Sequence, residues 1–91
     1  MQLNNLDDGI HALPAGQSNH IPSVKNAKSA GYDIKDIVVV IEIKGGRLSS
    51  KAVFVKIPGG GVGIKALDRH TPAMAAAAKQ FFIDGANIRR R

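Results

Sequence analysis

Three lysines, Lys44, Lys56 and Lys65, lie within or beside three consecutive apolar stretches, Ile37 to Lys44, Lys51 to Ile57 and Val62 to Leu67. Paired as a meander, these stretches turn Val39, Ile41, Ile43, Val53, Val55, Ile57, Val62 and Ile64 to one face, because strand side chains alternate. The opposite face then gathers the three lysines around Val38, Val40 and Phe54. Ammonium groups beside apolar surface suit polyanion recognition: lysines neutralise phosphates while apolar side chains meet sugars, thymine methyls or stacked bases. Arg47, Lys51 and Arg69 extend a basic rim. Arg89, Arg90 and Arg91 form a tail able to reach across a phosphate backbone or into a minor groove. The candidate nucleic-acid-binding set is therefore Lys44, Arg47, Lys51, Phe54, Lys56, Lys65, Arg69, Arg89, Arg90 and Arg91.

Other residue patterns that suggest chemistry are weaker. Gly59-Gly60-Gly61-Val62-Gly63-Ile64-Lys65 is glycine-rich and ends in lysine. A phosphate loop, however, needs Gly-Lys followed by Ser or Thr at a strand-to-helix junction, whereas Ile64 separates Gly63 from Lys65 and Ala66 follows. His11, His20 and His70 have neither metal-ligand spacing nor an acidic cluster. Ser49 and Ser50 have no base nearby in sequence, and Asp7 and Asp8 punctuate a loop. The expectation is a protein that is not an enzyme and holds no metal or cofactor.

Composition narrows the class. Ninety-one residues suit one domain with a single thin core. Hydrophobic residues make up 44% and charged residues 22%, close to a globular average. The four aromatics, Tyr32, Phe54, Phe81 and Phe82, leave that core mainly aliphatic. The chain has no cysteine, which removes disulfide frameworks and thiolate zinc sites and fits a reducing compartment. No run approaches the ~20 apolar residues of a membrane span, and Met1 to Ile10 lacks the cationic start of a secretory signal. A cytoplasmic protein without membrane contact is expected. Residues 1–36 carry three bases against four acids, and residues 37–91 carry ten against three, within a formal net charge of +6. So uneven a field favours an anionic partner, although net charge also serves solubility.

The elements that must position these side chains follow from the same pattern. Pro14, Gly16, Ser18, Asn19, Pro22 and Ser23 punctuate residues 1–30, which read as an irregular arm. A short strand over Gly9–Leu13 and a brief helix over Pro22–Ala30 are compatible with it. Leu3, Leu6, Ile10 and Leu13 allow the arm to pack across the sheet or onto a second subunit. Ile37 to Ile43 is β-branched except for Glu42 and predicts a strand. Gly45 to Ser50 predicts the turn into the next, and Pro58 to Gly61 the bend before the third. Thr71-Pro72 predicts a helix start, with Met74, Ala77, Ala78, Phe81 and Phe82 as a stripe for the inner sheet face. Asp84 and Gly85 predict its end. The expected fold class is α+β, an irregular N-terminal arm (1–30), a two-layer β-β-β-α domain (31–86) with a three-stranded antiparallel meander and one helix, and a basic tail (87–91).

The stretch from Ile37 to Ile83 resembles the later half of a double-stranded RNA-binding domain: three strands, a glycine-rich turn and an alanine-rich helix. Where that family places lysines at the start of its final helix, Asp68, Arg69, His70, Thr71 and Pro72 stand here. The same order also resembles small DNA readers that lay a three-stranded sheet in the major groove. The resulting expectation is a small basic nucleic-acid-binding protein, DNA slightly ahead of RNA. The alternatives are an interaction module or inhibitor, of the kind phages and plasmids direct at host factors, that binds an acidic protein, and a homodimer that buries two sheet faces or arms. If the arm covers Val38, Val40 and Phe54, lysine stems simply snorkel past it.

Overall fold

Ile37–Ile41 is an unbroken run of five apolar residues, and all five are buried. A strand carrying apolar side chains on both faces needs a layer on each side of its sheet. That is the architecture in the computed structural model, which describes residues 6–59 and 61–89. Four strands, β1 (Gly9–Pro14), β2 (Ile37–Lys44), β3 (Arg47–Ile57) and β4 (Gly63–Ala66), form one antiparallel sheet in the order β1-β2-β3-β4. One helix, α1 (Pro22–Ser29), lies on one face, and another, α2 (Pro72–Arg89), lies on the other. The fold class is α+β as expected, with one strand, one helix and one layer more than the sequence suggested.

Alternation divides the core in two. Ile37, Val39, Ile41, Ile43, Val53 and Val55 pack with Ala15, Ile21, Val24 and Ala27 on the α1 face. Val38, Val40, Ala52 and Phe54 pack under Met74, Ala78 and Phe82 on the α2 face. The apolar stripe of α2 therefore covers the face that was expected to be bare. The face expected beneath it is filled by the segment read as an arm. Val62 and Ile64 also change sides: Lys56 pairs with Ile64 and Phe54 with Ala66, which puts Ile64 on the α2 face.

Local chemistry explains the boundaries. Gly45 and Gly46 adopt φ of 60° and 76° and close the β2–β3 hairpin alone, with Lys44 opposite Arg47. Two consecutive positive φ values match the sheet's twist and are accessible to glycine, so the turn is shorter than Gly45 to Ser50. Ser49 is an extra residue between the pairs Glu42–Ser50 and Ile43–Leu48, a bulge in β3. Pro72 occupies the first turn of α2, and the Met74 amide donates to Thr71 Oγ1 at 3.3 Å. That helix does not stop at Gly85 but runs to Arg89, with Gln80 Nε2 donating to Asp84 Oδ1 at 2.8 Å one turn later. Mid-helix glycine costs only about 1 kcal/mol relative to alanine, too little to force a stop.

Candidate functional site

The ten residues singled out from the sequence do not share one sheet face. Phe54 is fully buried under α2, its ring edge-on to His70 at a centroid distance of 5.3 Å, so it cannot stack on a ligand. Lys44 and Arg47 flank the hairpin turn at one end of the sheet, and Lys44 Nζ lies 3.9 Å from Glu42 Oε1. Lys56 sits at the other end, half-buried, where it lines an open cleft of about 640 Å³ with Asp33 and Asp36. Lys65 pairs with Val55 and so projects on the α1 side, opposite in phase to Lys56. The lysine-bearing face is thus replaced by three separate groups. Both sheet faces carry helices, which also removes the face-on mode of the three-stranded DNA readers. Arg89 is the last helical residue of α2 rather than part of a free tail, and Arg90 and Arg91 lie outside the described residues.

One of these groups forms a coherent surface. β4 is an edge strand of four residues, and the chain turns from it through Leu67–Thr71 into α2. Lys65 and Arg69 are exposed along this rim. On its α2 side, His70, Lys79, Ile64 and Val62 line a shallow cleft of about 480 Å³. Lys79 and His70 were absent from the sequence-derived set. Lys79 lies one residue after the buried Ala78, on the flank of the apolar stripe, which is the signal that could have placed it.

The acids complete the electrostatic picture. Asp68 is the carboxylate nearest the rim in sequence, and both its oxygens are engaged: Oδ1 accepts from Ser23 Oγ at 2.7 Å and Oδ2 from the Val53 amide at 2.9 Å. Together with the Leu67 amide donating to the Val53 carbonyl at 2.9 Å, this pins the rim to β3 and to the first turn of α1. The other carboxylates lie elsewhere. Asp8 is at the hairpin, where the amides of Gly46 and Gly45 each donate to it at 2.9 Å and hold its pKa below the ordinary carboxylate range. Glu42 is beside Lys44, Asp33 and Asp36 are beside Lys56, and Asp84 is in the later turns of α2. The β4 rim consequently presents cations with no competing free carboxylate in its own segment.

Among the described residues no group of three or more His, Asp or Glu side chains is placed to hold a metal ion. No helix of the described residues is long and apolar enough to cross a membrane. No family model, curated protein or solved structure matches the chain.

Proposed function

We propose that this chain is a small basic non-enzymatic protein that binds nucleic acid along the β4 rim, through Lys65, Arg69 and Lys79. The observation that carries the reading is the internal engagement of Asp68, which leaves those cations to act on an outside anion. Cations on a projecting edge reach a phosphate backbone without any groove having to admit the sheet, and such contacts supply affinity rather than base readout. Arg47 and Lys44 at the hairpin are set apart and add only to the long-range field.

Fluorescence anisotropy with labelled duplex DNA, single-stranded DNA and duplex RNA at two salt concentrations tests the proposal. Three to five phosphate contacts imply a log–log salt slope of about −3 to −4.5 on duplex DNA. Reversing Lys65 and Arg69 to glutamate should abolish binding while leaving the fold and its melting temperature intact. Absence of saturable binding at low salt, or an unchanged affinity in the reversed variant, would overturn the assignment.

A further inference from the structure

The inner part of β3 has an edge that the other described residues leave open. β4 pairs only with Phe54–Ile57, and beyond it Asp68 and Leu67 take the amide and carbonyl of Val53. Backbone groups alternate in direction along a strand, so the amide and carbonyl of Lys51 face outward as those of Val53 do. Among the described residues neither has a hydrogen-bond partner there. Arg47–Ala52 is therefore paired with β2 on one side only, and its other side, where Lys51 directs its backbone groups, is open and bounded at one end by the Asp68 carboxylate.

Next to this ladder lies a pocket of about 290 Å³. Leu13, Ile21, Val39, Ile41 and Leu48 line it on one part and the polar Gln17, Ser18 and His20 on another, and among the described residues Lys51 is its one lysine or arginine. Leu48 is 45% exposed although it sits on the strand beside the α1 core. The two features are independent, one made by backbone and one by side chains, yet they adjoin at Leu48 and Lys51.

We infer that this edge receives an extended acidic polypeptide segment as a fifth strand, with one apolar side chain entering the Leu48 pocket and a carboxylate meeting Lys51. Main-chain pairing at an open edge supplies affinity in such binding, and the pocket beside it supplies selectivity. Charge decides among occupants. A second copy paired antiparallel through the same edge would set Arg47 and Lys51 of the two chains close to one another, and like charges facing across a ladder are destabilising. An acidic strand meets complementary charge. This site is separate from the β4 rim, so each can fail without the other.

The probe is a fluorescein-labelled, acetylated heptapeptide of alternating glutamate and valine with leucine at its centre, titrated into the intact protein. Saturable anisotropy is expected, together with slowed amide exchange at Lys51. Lys51→Pro removes an outward donor and the ammonium group together while leaving the β2 ladder whole, and should weaken binding roughly five- to fiftyfold, the worth of one hydrogen bond and one exposed ion pair. Should that variant not fold, Leu48→Glu, at an exposed position, should lower affinity by a similar factor. The inference is overturned if the peptide does not saturate, if its lysine counterpart binds equally, if Leu48→Glu has no effect, or if exchange protection maps away from residues 47–53. It is also overturned if sedimentation shows a dimer through this edge, or if duplex DNA rather than peptide protects the Lys51 amide.

Discussion

The two faces of the sheet are closed by different means. On one, α2 spans 18 residues and lays Met74, Ala78 and Phe82 along Val38, Val40 and Phe54. On the other, α1 spans eight residues and contributes only Val24 and Ala27 to the buried core, with Leu13 of β1, Ala15 of the 3-10 turn after it, and Ile21 and Leu6 completing the layer. Each face keeps a cleft, about 480 Å³ beside Ile64 and Lys79 on the α2 side and about 290 Å³ beside Leu48 on the α1 side. The α2 face thus rests on one continuous helix, and the α1 face on a short helix and several separate segments.

Mutations can break this contrast. Phe54→Ala removes the largest fully buried side chain and should cost about 4 kcal/mol, a large share of the ~5–15 kcal/mol that holds a small domain folded. Urea denaturation would read it, and a loss below about 1 kcal/mol would show that α2 does not seal its face. Asp68→Ala strands the Val53 amide and frees Ser23, for a predicted loss of about 2 kcal/mol. Val24→Ala deletes two methyl groups under α1 and should cost about 1.5 kcal/mol. If Val24→Ala proved as damaging as Phe54→Ala, the two faces would not differ in the way proposed.

The smallest expected effect sharpens the picture at the hairpin. Asp8 has a folded pKa lowered by the amides of Gly46 and Gly45. Its contribution is therefore complete above the unfolded carboxylate pKa and disappears as pH falls through the lower, folded value. The amide proton shifts of Gly45 and Gly46 should titrate with an acid midpoint below the ordinary aspartate range, and Asp8→Ala should abolish that titration. A midpoint at the ordinary value would mean that the clasp between residue 8 and the turn does not form.

Legibility in the sequence followed the number of buried faces. β2, β3 and the start of α2 were readable from β-branched runs, paired glycines and Thr71-Pro72. β1 was visible only as a compatible short strand over Gly9–Leu13, because Ile10 and Ala12 turn to the α2 face while Leu13 turns to the α1 face, so no polar alternation marks it. α1 was visible as a brief helix over Pro22–Ala30 from Pro22 in its first turn, but Ile21, Val24 and Ala27 alone at helical spacing did not show that it covers a sheet face. The face assignment failed for a related reason. Where β2 is apolar on both sides, phase alone does not say which side the long helix takes. The unbroken Ile37–Ile41 run was the sign that both sides would be covered, and that Phe54 would be core rather than contact surface.

The two-residue turn at Gly45–Gly46 also bears on the order in which the chain assembles. β2 and β3 are joined with almost no loop to close, so their hairpin is the most local pairing in the sheet and should form early. β1 and β2 are joined by residues 15–36, a much longer loop to close, so their pairing should follow that of the hairpin. The Asp8 clasp then acts as a late latch, registering the first strand against a hairpin already made. Until it closes, the outer edge of β2 is unpaired, and the nascent chain is most exposed to mispairing at the strand it will ultimately bury deepest.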